Sequence, residues 1–147
     1  MARVQEKVRL DRPLEEVWRL FIDPDRWLEW NTELAGMRDV HGPFDRPGSG
    51  YTQVWRLARW EREGAWEVTA CEPGRWREVA GVTPIGLAFE AREEFQDVAD
   101  GSQVIVQMSW ATPGGILGWI FDRVVAEPML RRALRANGRR VDAVLSD

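Results

Sequence analysis

The sequence predicts an α+β protein with helices segregated to one side of a curved antiparallel sheet. Three observations carry this: a period-two run at the N-terminus, a stretch from about residue 34 to residue 111 that reads almost entirely as strand, and a return of helical periodicity from Pro113 onward. The expected order is one strand, two short helices, five or six further strands and one long C-terminal helix. A length of 147 residues fits one domain over residues 1–147, large enough to bury roughly 70% of its extended-chain surface.

In ARVQEKVRLD, residues 2–11, Ala2, Val4, Glu6, Val8 and Leu10 share one face of a half-buried strand. RPLEEVWRLFI then changes period. Leu14, Val17, Trp18 and Phe21 fall on one helix face, Pro13 suits the first helical position, and Glu15 and Glu16 complement the dipole of the first turn. Asp23-Pro24 ends this helix, because a residue before proline avoids the α region. The same pair starts a second, short helix, with Asp23 as N-cap and Pro24 at its first position, carrying Trp27 and Trp30 on one side.

The strand region has a readable inner face in each run. GSGYTQVWRLA aligns Tyr51, Gln53, Trp55 and Leu57; GAWEVTACEPG aligns Trp66, Val68 and Ala70 before a Pro73-Gly74 turn; RWREVAG aligns Trp76, Glu78 and Ala80. GLAFEAREEFQDV aligns Leu87, Phe89, Ala91, Glu93 and Phe95, and after an Asp100-Gly101 turn SQVIVQMSWAT aligns Val104, Val106, Met108 and Trp110. Short connections make the sheet an antiparallel meander. In the last segment Ile120, Val124, Leu130, Leu134, Val141 and Leu145 form an apolar stripe. Pro128 is expected to kink or divide that helix, and Gly138 to weaken it by about 1 kcal/mol relative to alanine.

Composition excludes several function classes. The net charge of −4 argues against a nucleic-acid binder, and a single cysteine, Cys71, with a single histidine, His41, leaves no His/Cys zinc set. No apolar run approaches the ~20 residues of a membrane span, and the first residues lack the apolar core of a signal peptide, so a cytoplasmic protein is expected. P-loop, GxGxxG, HExxH, CxxC and GxSxG signatures are absent, and no cofactor or metal is implied. His41 lies in a Gly/Pro-flanked segment and reads as an exposed loop residue; Cys71 has no adjacent base. Arg131, Arg132, Arg135, Arg139 and Arg140 read as a solvated helix face.

PLEEVWRLFIDPDRWLEWN, GSGYTQVW, EPGRWREVAG, AFEAREEFQDVADGSQVIVQMSW and GGILGWIFDRVVAEPMLRRALRANGRRVDAVL follow one another along nearly the whole chain. Together they resemble the polyketide cyclase/dehydrase and lipid-transport branch of the START-like, or SRPBCC, superfamily. The resemblance implies a helix-grip fold: a curved antiparallel sheet of six to seven strands wrapped around the long C-terminal helix, with two short helices after strand 1 and an apolar cavity between sheet and helix. Family members bind or act on lipids, sterols, polyketides and other hydrophobic molecules. The superfamily has no shared catalytic motif to carry across, and Gly138 departs from its leucine-rich ending, which bears on the straightness of the last helix.

Under that architecture the candidate ligand-binding residues are Glu6, Trp30, Tyr51, Gln53, Trp55, Trp66, Glu78, Phe89, Glu93, Met108, Trp110 and Ile120. Trp27 is expected to anchor one end of the grip, and Trp30, at the helix exit, to reach the cavity. The acids stand out because Glu6, Glu78 and Glu93 interrupt otherwise apolar faces, and a dry, unpaired carboxylate is costly. Each needs an arginine, water or a raised pKa, and a raised pKa is what proton transfer requires. Glu78 and Glu93 are therefore the catalytic candidates. The expected function is binding of a small hydrophobic or aromatic ligand, lipid-, polyketide- or sterol-like. A cyclase, dehydratase or aromatase using the cavity carboxylates stays open, as does a ligand-free partner-binding module. A homodimer is compatible with all three.

Overall fold

The computed structural model describes residues 2–31, 34–57, 59–83 and 86–146; the Leu57 side chain lies outside the described set. The chain runs β1 (Ala2–Leu10), α1 (Leu14–Ile22), a 3₁₀ turn (Pro24–Arg26), α2 (Trp27–Trp30), β2 (Gly36–His41), β3 (Gly50–Leu57), β4 (Trp60–Glu72), β5 (Trp76–Val82), β6 (Ala88–Val98) and β7 (Gly101–Trp110). It ends in α3 (Gly115–Phe121), a π turn (Asp122–Ala126) and α4 (Glu127–Ser146). The seven strands form one sheet in the order β1-β7-β6-β5-β4-β3-β2, every neighbouring pair antiparallel.

β1 alternates buried and exposed residues as its pattern requires, and Val8 pairs with Val104 and Val4 with Met108 on β7. In α1 the buried residues are Val17, Leu20 and Phe21, while Leu14 and Trp18 are half-buried. Pro13 stands one position earlier than expected, as the N-cap in extended conformation. Asp23 performs the expected double role: its side chain accepts from the Asp25 N–H and opens the 3₁₀ turn with Pro24 at the first position.

Two inner faces differ from the sequence reading. A bulge between Val68 and Ala70 shifts the β4 register, so Cys71 rather than Ala70 packs against the core beyond it. On β5 the inward residues are Arg77 and Val79, both buried, opposite Cys71 and Val68 on β4. Trp76, Glu78 and Ala80 therefore take the outer face, the reverse of the expected assignment. Trp76 is satisfied there: its indole N–H donates to Glu72 at 2.9 Å, and the Arg92 guanidinium lies 4.4 Å from its ring centre.

The C-terminal helix is divided ahead of Pro128. Proline has no N–H to give the preceding turn, and the backbone takes a wide π turn just before it. The expected apolar stripe breaks at this point. Gly118, Asp122, Ala126 and Leu130, at four-residue steps, are the buried row, whereas Ile120 and Val124 face outward at 46% and 69% exposure. The six-residue step from Val124 to Leu130 is not a helical repeat, which is why the two halves of the stripe part company. α4 continues unbroken through Gly138, which is buried against β1. A Cβ there would lie 2.7 Å from Val8 Cγ2, so glycine is what lets helix and strand approach.

Candidate functional site

Between the concave face of the sheet and α4 lies a cavity of about 180 Å³. The sheet supplies its floor, including Phe89, Ala91, Val104, Val106 and Met108; α4 supplies the roof through Leu130, Ala133, Leu134, Gly138 and Val141. One end is closed by aromatic side chains. Trp27, Phe44, Tyr51 and Trp66 contact one another with ring centres 4.6–6.3 Å apart. Trp27 is fixed there by its indole N–H, which donates to the Phe21 carbonyl at 3.0 Å. Trp30 stacks on Phe21 at 4.9 Å, lines the cavity, and has no hydrogen-bond partner for its buried indole nitrogen among the described residues.

The charged pair in this wall is Arg77 with Glu93, whose side chains are 2% and 9% exposed. Arg77 Nη2 donates to both Glu93 oxygens at 2.9 and 3.1 Å, and Nε donates to Oε1 at 3.2 Å. Nη1 donates to the Phe21 and Phe44 carbonyls at 3.1 and 3.3 Å, and the guanidinium carbon lies 5.2 Å from the Trp66 ring centre. The pair is thus charge-neutral and committed to internal partners. Its geometry joins the end of α1 and the segment before β3 to the sheet floor.

The other polar groups on the wall are neutral. Tyr51 is buried, and desolvation holds its phenol well above the ordinary range, with the Arg77 cation opposing the shift. It stays a protonated donor. Gln53 is buried and its amide nitrogen donates to the Val82 carbonyl at 3.4 Å. Asn31, Thr83 and Asn137 add an amide from α2's exit, a hydroxyl and a second amide from α4.

Of the residues named from sequence, the cavity brings together Trp30, Tyr51, Gln53, Trp55, Trp66, Phe89, Glu93 and Met108. Glu6, Glu78, Trp110 and Ile120 stand elsewhere. Glu6 faces α4 and pairs with Arg131 at 3.2 Å and Arg135 at 3.1 Å, clamping the helix to β1; with Arg140, which donates to the Glu29 carbonyl at 2.8 and 3.2 Å, three of the five arginines read as solvated have a partner. Glu78 is on the outer face of β5, paired with Arg92 at 2.6 Å. Trp110 is buried and donates to Asp122 at 2.9 Å, and Thr112 donates to the same carboxylate. That bond explains the carboxylate in the buried row of the C-terminal helix. Ile120 is on the outer side of α3. Sequence reasoning missed Arg77, Asn31, Thr83 and Asn137. The signal for Arg77 was strict alternation, which puts it in phase with Val79 once the tryptophan beside it is allowed to face outward.

Among the described residues no group of His, Cys, Asp and Glu has the arrangement of a metal site, and no helix is long and apolar enough to cross a membrane.

A seven-stranded antiparallel sheet curled on a long C-terminal helix, with short helices after β1, is the helix-grip architecture of START-like, SRPBCC proteins. Solved structures share it along almost the whole chain. A protein from Rhodobacter sphaeroides has a TM-score of 0.75 at 19% identity, covering 98% of this chain and 91% of that one. Protein MLL2253 from Mesorhizobium loti has a TM-score of 0.72 at 16% identity, covering 99% and 97%. Ara h 8.0201 has a TM-score of 0.75 at 11% identity, covering 99% of each chain. At these identities the likeness is one of fold. No curated protein matches the chain. The family described as polyketide cyclase/dehydrase and lipid transport matches residues 1–146, and the chain belongs to that family.

Proposed function

We propose that this protein binds a small, neutral, largely apolar molecule of about one aromatic or alicyclic ring, enclosed between sheet and C-terminal helix. The observation that carries the reading is the cavity itself: about 180 Å³, walled mostly by apolar and aromatic side chains, with its buried ion pair already neutralised from within. An engineered apolar void of roughly 150 Å³ takes up benzene, whereas drug-sized ligands occupy roughly 300–1,000 Å³. This volume favours a single-ring molecule over a long acyl chain or a sterol. Affinity comes from burial of apolar surface at about 25 cal/mol per Å², and the Tyr51 hydroxyl and Gln53 amide orient a polar substituent. Among the described residues of the wall a charged ligand has no free counter-ion, since Arg77 and Glu93 satisfy each other. Nucleic acid has no part in this reading, given a net charge of −4. The lone cysteine is compatible with a reducing, cytoplasmic setting.

The geometry lends little to an enzyme that uses the candidate acids. Glu78 is outside the cavity, and both Glu93 oxygens accept from Arg77. A ligand-free partner module calls for a filled interior, and the cavity favours the ligand reading over it. Native mass spectrometry of the purified protein, before and after denaturation, tests the proposal. A small molecule released on denaturation supports it. Ligand-free protein that also shows no tryptophan-fluorescence response across a broad panel of single-ring compounds overturns it.

A further inference from the structure

The outer face of α3 and the π turn is an exposed apolar surface without a partner among the described residues. Ile116, Leu117 and Val124 are 75%, 73% and 69% exposed, and Trp119, Ile120 and Val125 are 57%, 46% and 43% exposed. Together they exceed the roughly 300–600 Å² of the largest apolar patch on a typical monomer. The segment is pinned in this orientation. Asp122 on its inner side is bonded to Trp110 and Thr112, and a Cβ at Gly118 would lie 2.6 Å from the Pro113 carbonyl oxygen. The apolar side is therefore presented rigidly, as the geometry of the buried row demands.

We infer that this face docks a second copy of the chain, patch against patch, in an isologous dimer. The size of the patch is compatible with it: these six exposed residues would form the centre of an interface to which each partner contributes roughly 800 Å². The composition supports it as well. Between Gly115 and Ala126 the charged residues are Asp122, turned inward, and Arg123, whose guanidinium lies 5.3 Å from the Trp119 ring centre. Interface cores favour aromatic residues and arginine and exclude other charges. A two-fold axis makes one patch sufficient for both partners. An anionic lipid surface fits less well, because such recognition uses clusters of roughly four to eight cations. Here Arg123 is the cation on the face, Arg3 borders the adjoining groove, and the chain carries −4 overall. This inference stands apart from the ligand reading.

Sedimentation velocity over a micromolar concentration range is the test. The wild type is expected to sediment as twice the 16.9 kDa chain. The double variant Leu117→Asp, Val124→Asp is expected to sediment as a monomer with an unchanged far-ultraviolet circular dichroism spectrum. Ile116→Lys, in the first turn of α3, provides a milder second variant with the same expectation. Trp60→Ala, whose ring is exposed elsewhere at 67%, should remain dimeric. A wild type that is monomeric at every concentration overturns the inference, as does a dimer that persists in folded patch variants. A monomer that co-floats with phosphatidylcholine or phosphatidylglycerol vesicles, and loses flotation in the patch variants, assigns the face to a lipid surface instead.

Discussion

Arg77 on β5 and Glu93 on β6 stand directly opposite each other in register and meet through three hydrogen bonds inside the sheet's concave face. A buried pair of this kind costs desolvation that its mutual attraction offsets only while both partners are present. Glu93→Gln or Arg77→Met leaves one charge stranded, and each single change is expected to cost about 3–5 kcal/mol. Urea unfolding of the singles and of an Arg77→Met, Glu93→Leu double variant closes the cycle. The double variant should be less destabilised than the sum of the singles. Simple additivity would show that the two side chains do not act as a unit.

Tyr51 links cavity burial to alkaline stability. Burial raises its pKa above the ordinary value of about 10, so the folded state keeps the proton where the unfolded chain releases it. The stability from this source is complete below about pH 10 and falls as pH rises above it, by up to roughly 1.4 kcal/mol per pH unit. Tyr51→Phe removes this slope. Unfolding free energies measured at stepped alkaline pH should fall more steeply in the wild type than in the variant; parallel curves would contradict the burial of the phenol.

Gly138 sets two effects of opposite sign against each other. Alanine gains about 1 kcal/mol of helix propensity, but its Cβ would meet Val8 Cγ2 at 2.7 Å and Cγ1 at 3.3 Å. Overpacking costs about 1–3 kcal/mol, and a β-branched neighbour has little freedom to move aside. Gly138→Ala is therefore expected to be destabilising, and Val8→Ala in the same chain to recover part of the loss. A Gly138→Ala protein more stable than wild type would show that α4 is not seated on β1.

The two tryptophans of α2 have separable roles. Trp27 is 3% exposed, bonded to the Phe21 carbonyl and in contact with three other rings. Trp27→Ala should lower stability by about 3–5 kcal/mol. Trp30 is half-buried, stacks on Phe21 and lines the cavity. Trp30→Ala should change ligand affinity at smaller cost in stability. Equal effects of both variants on stability, with no effect of either on binding, would contradict the assignment.

Period-two and helical patterns reveal most of the architecture because each strand has one dry face. The inner faces of β1, β6 and β7, and the Asp23-Pro24 junction, are legible in that way. The failures have physical causes. On β5, ranking tryptophan above arginine for burial inverted the face: Trp76 is stabilised outside by Arg92 and Glu72, and Arg77 is required inside by Glu93. The β4 bulge was invisible because one extra residue leaves composition unchanged while swapping Ala70 for Cys71. Trp110 looked like a cavity wall because its hydrogen-bond partner, Asp122, lies on a helix whose phase a π turn had altered. The clamp between Glu6 and the arginines of α4 joins residues more than a hundred positions apart, beyond the reach of local pattern.

Whether the cavity receives a ligand of about one ring is measured directly by isothermal titration of single-ring compounds into two proteins. One is the wild type; the other is Ala133→Phe, which fills the cavity from α4. The wild type should show saturable single-site binding of at least one compound, lost in Ala133→Phe while its fold and melting temperature are maintained. Absence of saturable binding in the wild type, or equal binding in a folded Ala133→Phe protein, would contradict a ligand in this cavity.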